Sequence, residues 1–182
     1  MLRTGILRAG ALLLGAGALV ACEPTNQGYA PSQPVAYSHA VHAGTSGIDC
    51  QYCHFGADRS RYAGIPPASV CMNCHAQVKK DHPEVLKVAA AVEKGEDIPW
   101  VKVHYLPDHV HFDHSAHVNA DGGGVPCQTC HGPVESMGVV SQWAPLTMGW
   151  CVSCHREKSA PLGDPAVPVR ASPLTDCYVC HH

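Results

Sequence analysis

Five copies of one pentapeptide constrain this chain more than any other feature: CQYCH at Cys50–His54, CMNCH at Cys71–His75, CQTCH at Cys127–His131, CVSCH at Cys151–His155 and CYVCH at Cys177–His181. Two cysteines three apart can form thioethers to the two vinyl groups on one edge of a porphyrin, and the histidine after the second then lies under the iron. Cys50 and Cys53, Cys71 and Cys74, Cys127 and Cys130, Cys151 and Cys154, and Cys177 and Cys180 are therefore read as attachment points for five covalently bound haem c groups. His54, His75, His131, His155 and His181 become the proximal iron ligands. These motifs use ten of the eleven cysteines. Zinc ribbons take C-x-x-C pairs in twos, which an odd total cannot supply, and a disulfide framework gives no reason for a histidine after every pair.

The eleventh cysteine, Cys22, ends a second pattern. MLRTGILR carries Arg3 and Arg8, an apolar run follows that is short for a bilayer span, and LVAC closes it. The string resembles a bacterial lipobox, so residues 1–21 are expected to be a lipoprotein signal peptide, with acyl chains on Cys22. The alternative is an uncleaved anchor helix. Residues 22–36, rich in Pro and Gly, read as a lipid-anchored tether, and 37–182 as a pentahaem cytochrome c domain. The expected location is the extracytoplasmic, periplasmic face of the bacterial cytoplasmic membrane, which suits thioether formation. Without residues 1–21 the chain keeps 10 basic against 15 acidic residues, and no basic run suggests nucleic acid.

The same motifs bear on the fold. Two Phe and three Trp stand against 17 Gly and 15 Pro, too little large apolar material for an ordinary core at this length. After cleavage about 32 residues remain per haem, so the macrocycles must supply much of the interior, and folding depends on them. The expected fold is mainly irregular with short α-helices and little or no β, wrapped around five haems. The 56-residue step between the second and third motifs holds the clearest helix, Pro83 to Glu96, with Pro at its first turn and Gly95 near its end.

Nine histidines lie outside the motifs, and a low-spin iron takes a second axial ligand. YSHAVH and FDHSAH each place two histidines three apart behind an aromatic, giving His39 and His42 after Tyr37, and His114 and His117 after Phe112. Residues three apart on a helix diverge by about 60°, so each pair suits two neighbouring haems better than one. Met148, three residues before Cys151, is read either as a distal thioether ligand or as a side chain packed on a porphyrin face.

An aromatic-x-His-x-x-His segment ahead of C-x-x-C-H resembles the class III cytochromes c, the c3 and c7 type. The strings YSHAVHAGTSGIDCQYCHFGADRSRYAGIPPASVCMNCH, IPWVKVHYLPDHVHFDHSAHV, VPCQTCHGPV and APLTMGWCVSCHRE, in that order, resemble the pentahaem cytochrome subunit of alternative complex III, a bacterial quinol-oxidising respiratory complex. That resemblance implies His104, in the V-H-x-L-P-D string, as the fifth distal ligand, with His109 in reserve. His111, His82 and His182 remain surface or supporting residues, and Trp100, Trp143 and Trp150 pack between macrocycles. It further implies integral membrane quinol-oxidising subunits, an iron–sulfur/molybdopterin-type extracytoplasmic subunit, and another c-type cytochrome or a terminal oxidase as partners. The family often carries an N-terminal membrane helix where this chain has the lipobox. With two protein ligands on every iron no position is open to substrate, so the chain is expected to carry electrons and not to be an enzyme. The alternatives are a stand-alone lipoprotein shuttle and a small multihaem reductase with one open haem.

Overall fold

The structure, a computed structural model, describes residues 25–159 and 173–182. The signal sequence and Cys22 lie outside the described residues. Among those described there is no strand, and no helix is long and apolar enough to cross a membrane. Six α-helices follow in chain order: α1 Cys50–Cys53, α2 Ala68–His75, α3 Pro83–Lys94, α4 His114–Val118, α5 Cys127–His131 and α6 Met148–Ser159. A wide π-type turn, Ala40–Thr45, precedes them, and tight 3-10 turns occupy Val134–Ser136, Pro173–Thr175 and Cys177–Val179.

Each C-x-x-C-H lies on a turn of helix: at the first, third and fifth motifs the residue before the first cysteine starts it, while the second and fourth motifs fall inside helices that begin three residues earlier, at Ala68 and Met148. Asp49 accepts the Gln51 amide at 2.7 Å, and Asp176 accepts the Tyr178 amide at 2.9 Å. Pro126 stands at the N-terminus of α5, where its missing N–H costs nothing. A helical turn brings residues one and four to the same side, and a thioether pair needs both sulfurs there.

The side-chain core is small. Val35, Ala68 and Val88 are buried together, with Cys71, Met72, Ala91, Ile98 and Trp100 packed against them where α3 lies on α2. The helix expected over Pro83–Glu96 ends at Lys94. Gly95 takes the left-handed conformation, φ 69°, and the amides of Gly95 and Glu96 turn back onto the Val92 and Ala91 carbonyls. His82 caps its start, Nδ1 accepting the Glu84 amide at 3.3 Å.

From Asn26 onward the expected tether is a strap laid along the domain. Gln33 pairs with Val101 through both its amide oxygen and its amide nitrogen, each at 2.9 Å. Glu84 accepts the Ala36 amide at 2.7 Å, and its own ion pair with Lys87 holds its carboxyl below the usual range. Val35 joins the core. Polar, proline-rich composition signals the lack of helix here; it does not exclude docking through side-chain amides.

Candidate haem-binding centres

The two aromatic–histidine segments reach one geometry from different backbones. In the π-type turn Tyr37 stacks on His42, ring centres 4.4 Å apart at 22°, and meets His39 edge-on at 4.8 Å and 84°. Beside α4, Phe112 stacks on His117 at 4.4 Å and 28° and meets His114 edge-on at 4.9 Å and 88°. Asp113 caps α4 by accepting the Ser115 amide at 2.8 Å. Burial, with Cys53 and Cys71 nearby, pushes the Tyr37 phenol up to about 12, so it stays neutral.

Each proximal histidine faces a second imidazole. Centre-to-centre distances are 6.4 Å for His39 and His54, 6.0 Å for His42 and His75, 6.5 Å for His114 and His131, 6.0 Å for His117 and His155, and 5.5 Å for His109 and His181. Two imidazoles bonded to one metal at about 2 Å each, with each ring centre about 1 Å behind its nitrogen, stand about 6 Å apart. The donor chemistry agrees. His54, His75, His155 and His181 donate Nδ1–H to the carbonyls of Gly64, Val78, Leu174 and His109 at 2.6 to 2.9 Å. His42, His114 and His117 do the same to Ser38, Arg61 and Asp113 at 2.7 to 2.9 Å. A carbonyl only accepts, so the hydrogen sits on Nδ1 and the Nε2 lone pair is left for a metal. His39 differs, its Nδ1 being buried without a partner. Burial, then the neighbouring imidazoles, lowers His39 and His131 to about 4, so both are neutral at pH 7.

His104 is not placed as the resemblance implied. Its ring centre is 4.5 Å from that of His131 at 82°, and its Nε2 lies 3.2 Å from His131 Nδ1, the nitrogen turned away from the ligand position. The distal expectation for His104 is corrected accordingly, and the reserve residue His109 is the one that faces His181. His111 and His182 pair with each other at 4.5 Å. Met148 is 71% exposed at the start of α6. Nor do the tryptophans behave alike: Trp100 belongs to the side-chain core, Trp143 covers Gly132, and Trp150 donates its amide to Thr147 Oγ1 at 3.3 Å. Sequence reasoning missed Gln142, the largest fully buried side chain among the described residues, whose Oε1 accepts the Tyr105 amide at 3.1 Å while Nε2 donates to the Ala144 carbonyl at 3.2 Å. No motif could have flagged it, because the partners it joins lie far apart in the chain.

The pairs follow one another in a single file that is not their chain order. The second and first motifs share the His39–His42 turn, and Asn73 Nδ2 donates to Tyr52 Oη at 3.1 Å between them. First and third meet where Cys127 stands close enough to Cys50 to help raise its thiol and where the His114 amide reaches the Arg61 carbonyl. Third and fourth share α4. In the fourth and fifth, Cys180 adds to the burial that raises the Cys151 thiol, and the segment entering the last motif accepts from His155. The ten described cysteines are all free, and no group of three or more His, Cys, Asp or Glu among the described residues converges as a bare metal site. The donor set fits haem c: at each motif two cysteine sulfurs and a facing pair of imidazoles would hold one such group.

Tyr37 touches two distal rings, which makes it a useful probe. An aromatic contact is worth about 0.5–1.5 kcal/mol beyond its buried area, up to roughly tenfold in an equilibrium. With haem bound at the candidate sites, Tyr37→Leu is expected to let cyanide displace ligands several-fold more readily at the two that His39 and His42 face, while Tyr37→Phe matches the parent. Equilibrium cyanide binding followed in the Soret band reads this.

One protein family and one known protein bear on this geometry. Residues 110–182, which carry the last three motifs and α4, match the family described as cytochrome c7 and related cytochrome c, and are c7-like in fold. Over 100 residues the chain is 37% identical to the menaquinone reductase, multihaem cytochrome c subunit, of Nitratidesulfovibrio vulgaris (strain Hildenborough). That stretch is 54% of this chain and 45% of the relative, so the chain spans less than half the length of the curated protein it resembles.

Proposed function

We propose that this chain is a pentahaem electron-carrying subunit of a quinone-linked membrane complex of the alternative complex III type, without a substrate site of its own. The observation that carries the proposal is the set of five imidazole pairs, one for each C-x-x-C-H, at 5.5 to 6.5 Å. When bound, haem c supplies an iron that takes up and releases one electron. The chain's part is to saturate each iron, hold the Nε2 lone pairs in place, and set the file second, first, third, fourth, fifth, so that electrons enter and leave at the second and fifth motifs. A small reductase would leave one iron with a single protein ligand, and five facing pairs argue against that.

The curated relative's name supports the quinone link, although it names quinone reduction where we propose quinol oxidation. Such a file conducts both ways, and its partners' potentials set the direction. The proposed partners are integral quinol-oxidising subunits, an iron–sulfur/molybdopterin-type subunit, and a further c-type cytochrome or terminal oxidase. The proposed location is the periplasmic face of the cytoplasmic membrane, through a lipid on Cys22.

Purification of the tagged chain from native membranes in mild detergent, followed by mass spectrometry, tests this reading. Integral quinol-active subunits and an iron–sulfur-type subunit are expected to co-migrate, and menaquinol is expected to reduce the haems of the intact assembly. A chain that emerges alone with five haems and an acylated Cys22 would be a shuttle. Haems that pass electrons only toward menaquinone would reverse the direction.

A further inference from the structure

In four of the five motifs the proximal histidine donates Nδ1–H to a main-chain carbonyl; in the third the partner is another side chain, His104. We propose that His104 is a positioning residue for His131, and that its imidazole makes the third-motif iron the one with the most electron-rich proximal ligand. This rests on the five-haem reading above.

With iron on His131 Nε2, the ring hydrogen sits on Nδ1, so His131 donates and His104 Nε2 accepts across 3.2 Å. A neutral imidazole nitrogen is a stronger base than an amide carbonyl oxygen, and an acceptor of this kind fixes the tautomer and orientation of a metal-bound histidine while raising its basicity. More charge on the ligand favours Fe(III), which lowers the potential of that iron relative to a carbonyl-supported one.

The surroundings hold this contact in place. The Tyr105 amide, next along the chain from His104, is fixed by the buried Oε1 of Gln142. The Gln142 backbone is tied in turn to Gly28 and Tyr29, at 2.7 and 3.0 Å. Trp143 lies over Gly132, the residue after His131. One short segment, 142–144, therefore sets both ends of the pair. The third motif also stands at the middle of the file, where a change in potential bears on all transfer between the two ends.

His104→Leu and His104→Gln in the assembled, haem-loaded protein test the proposal. Leucine removes the acceptor, and glutamine offers an amide oxygen like the carbonyls of the other four. Both variants are expected to retain five covalent haems, all low-spin. Redox potentiometry is expected to show one of five midpoint potentials displaced upward in both, further in the leucine variant, with four unmoved. A high-spin haem in either variant would make His104 an iron ligand. Five unmoved potentials, or five that move together, would reduce it to packing, and all these results overturn the proposal. If the leucine variant fails to accumulate, the glutamine variant carries the test. Fewer than five haems in the parent protein would instead sink the five-haem reading itself.

Discussion

Replacement of His109 by alanine converts one proposed haem site of five from low to high spin. His109 is the ring that faces His181, at 5.5 Å and 22°. His111 is engaged with His182 instead, and Met148 projects into solvent. Without His109 the fifth-motif iron keeps one protein ligand and gains an open position, so carbon monoxide binds at one per chain where the parent binds none. Covalent attachment is unaffected, because Cys177 and Cys180 are untouched. Added imidazole should restore the low-spin spectrum. Combination with His111→Ala removes the nearest substitute ring, and a wholly low-spin double variant would mean that the fifth distal ligand lies elsewhere.

The second large effect concerns Gly132. Its backbone stands at φ 70°, ψ −164°, a region essentially restricted to glycine, and non-glycine residues held there cost about 1–3 kcal/mol. A Cβ at this position would also stand 2.9 Å from Trp143 Cβ and closer still to the indole ring. Gly132→Ala therefore moves either Trp143 or the His131 that precedes it. The expected loss is roughly 2–4 kcal/mol, the larger end requiring the ring to shift as well, with a fall in haem incorporated at the third motif. The double variant with Trp143→Ala relieves the steric part alone and should recover stability incompletely. Thermal unfolding of the four proteins, as a double-mutant cycle, separates the two contributions. Additivity across the cycle would show that the indole is not what confines Gly132.

How far the chain is legible from its sequence depends on the range of the interaction. At the first, third and fifth motifs the helical turns lie where short patterns put them, because an Asp or Pro before the first cysteine starts a turn and the motif needs one. The Tyr37 and Phe112 segments were equally readable, since aromatic and histidines sit within six residues. Helix α3 was readable from its first-turn proline and Gly95, whereas its cap, His82, was not. The docking of the strap from Asn26 on was not readable. Its docking depends on Glu84, Lys87 and Val101, which no local pattern connects to residues 26–36.

The sequence by itself determined the five C-x-x-C-H motifs, their adjoining histidines, the paired aromatic–histidine turns and a mainly irregular architecture with short helices, because each arises from contacts within a turn or two of chain. Tertiary structure alone decided which histidine faces which, that His109 and not His104 stands opposite a proximal ring, and that the motifs line up second, first, third, fourth, fifth. The physical reason is the same throughout. His109 and His181 are 72 residues apart in the chain, and His104 is held to His131 through Gln142 and the Tyr105 amide. Such long-range contacts are settled by how loops close around one another, and spacing in the sequence carries no term for that.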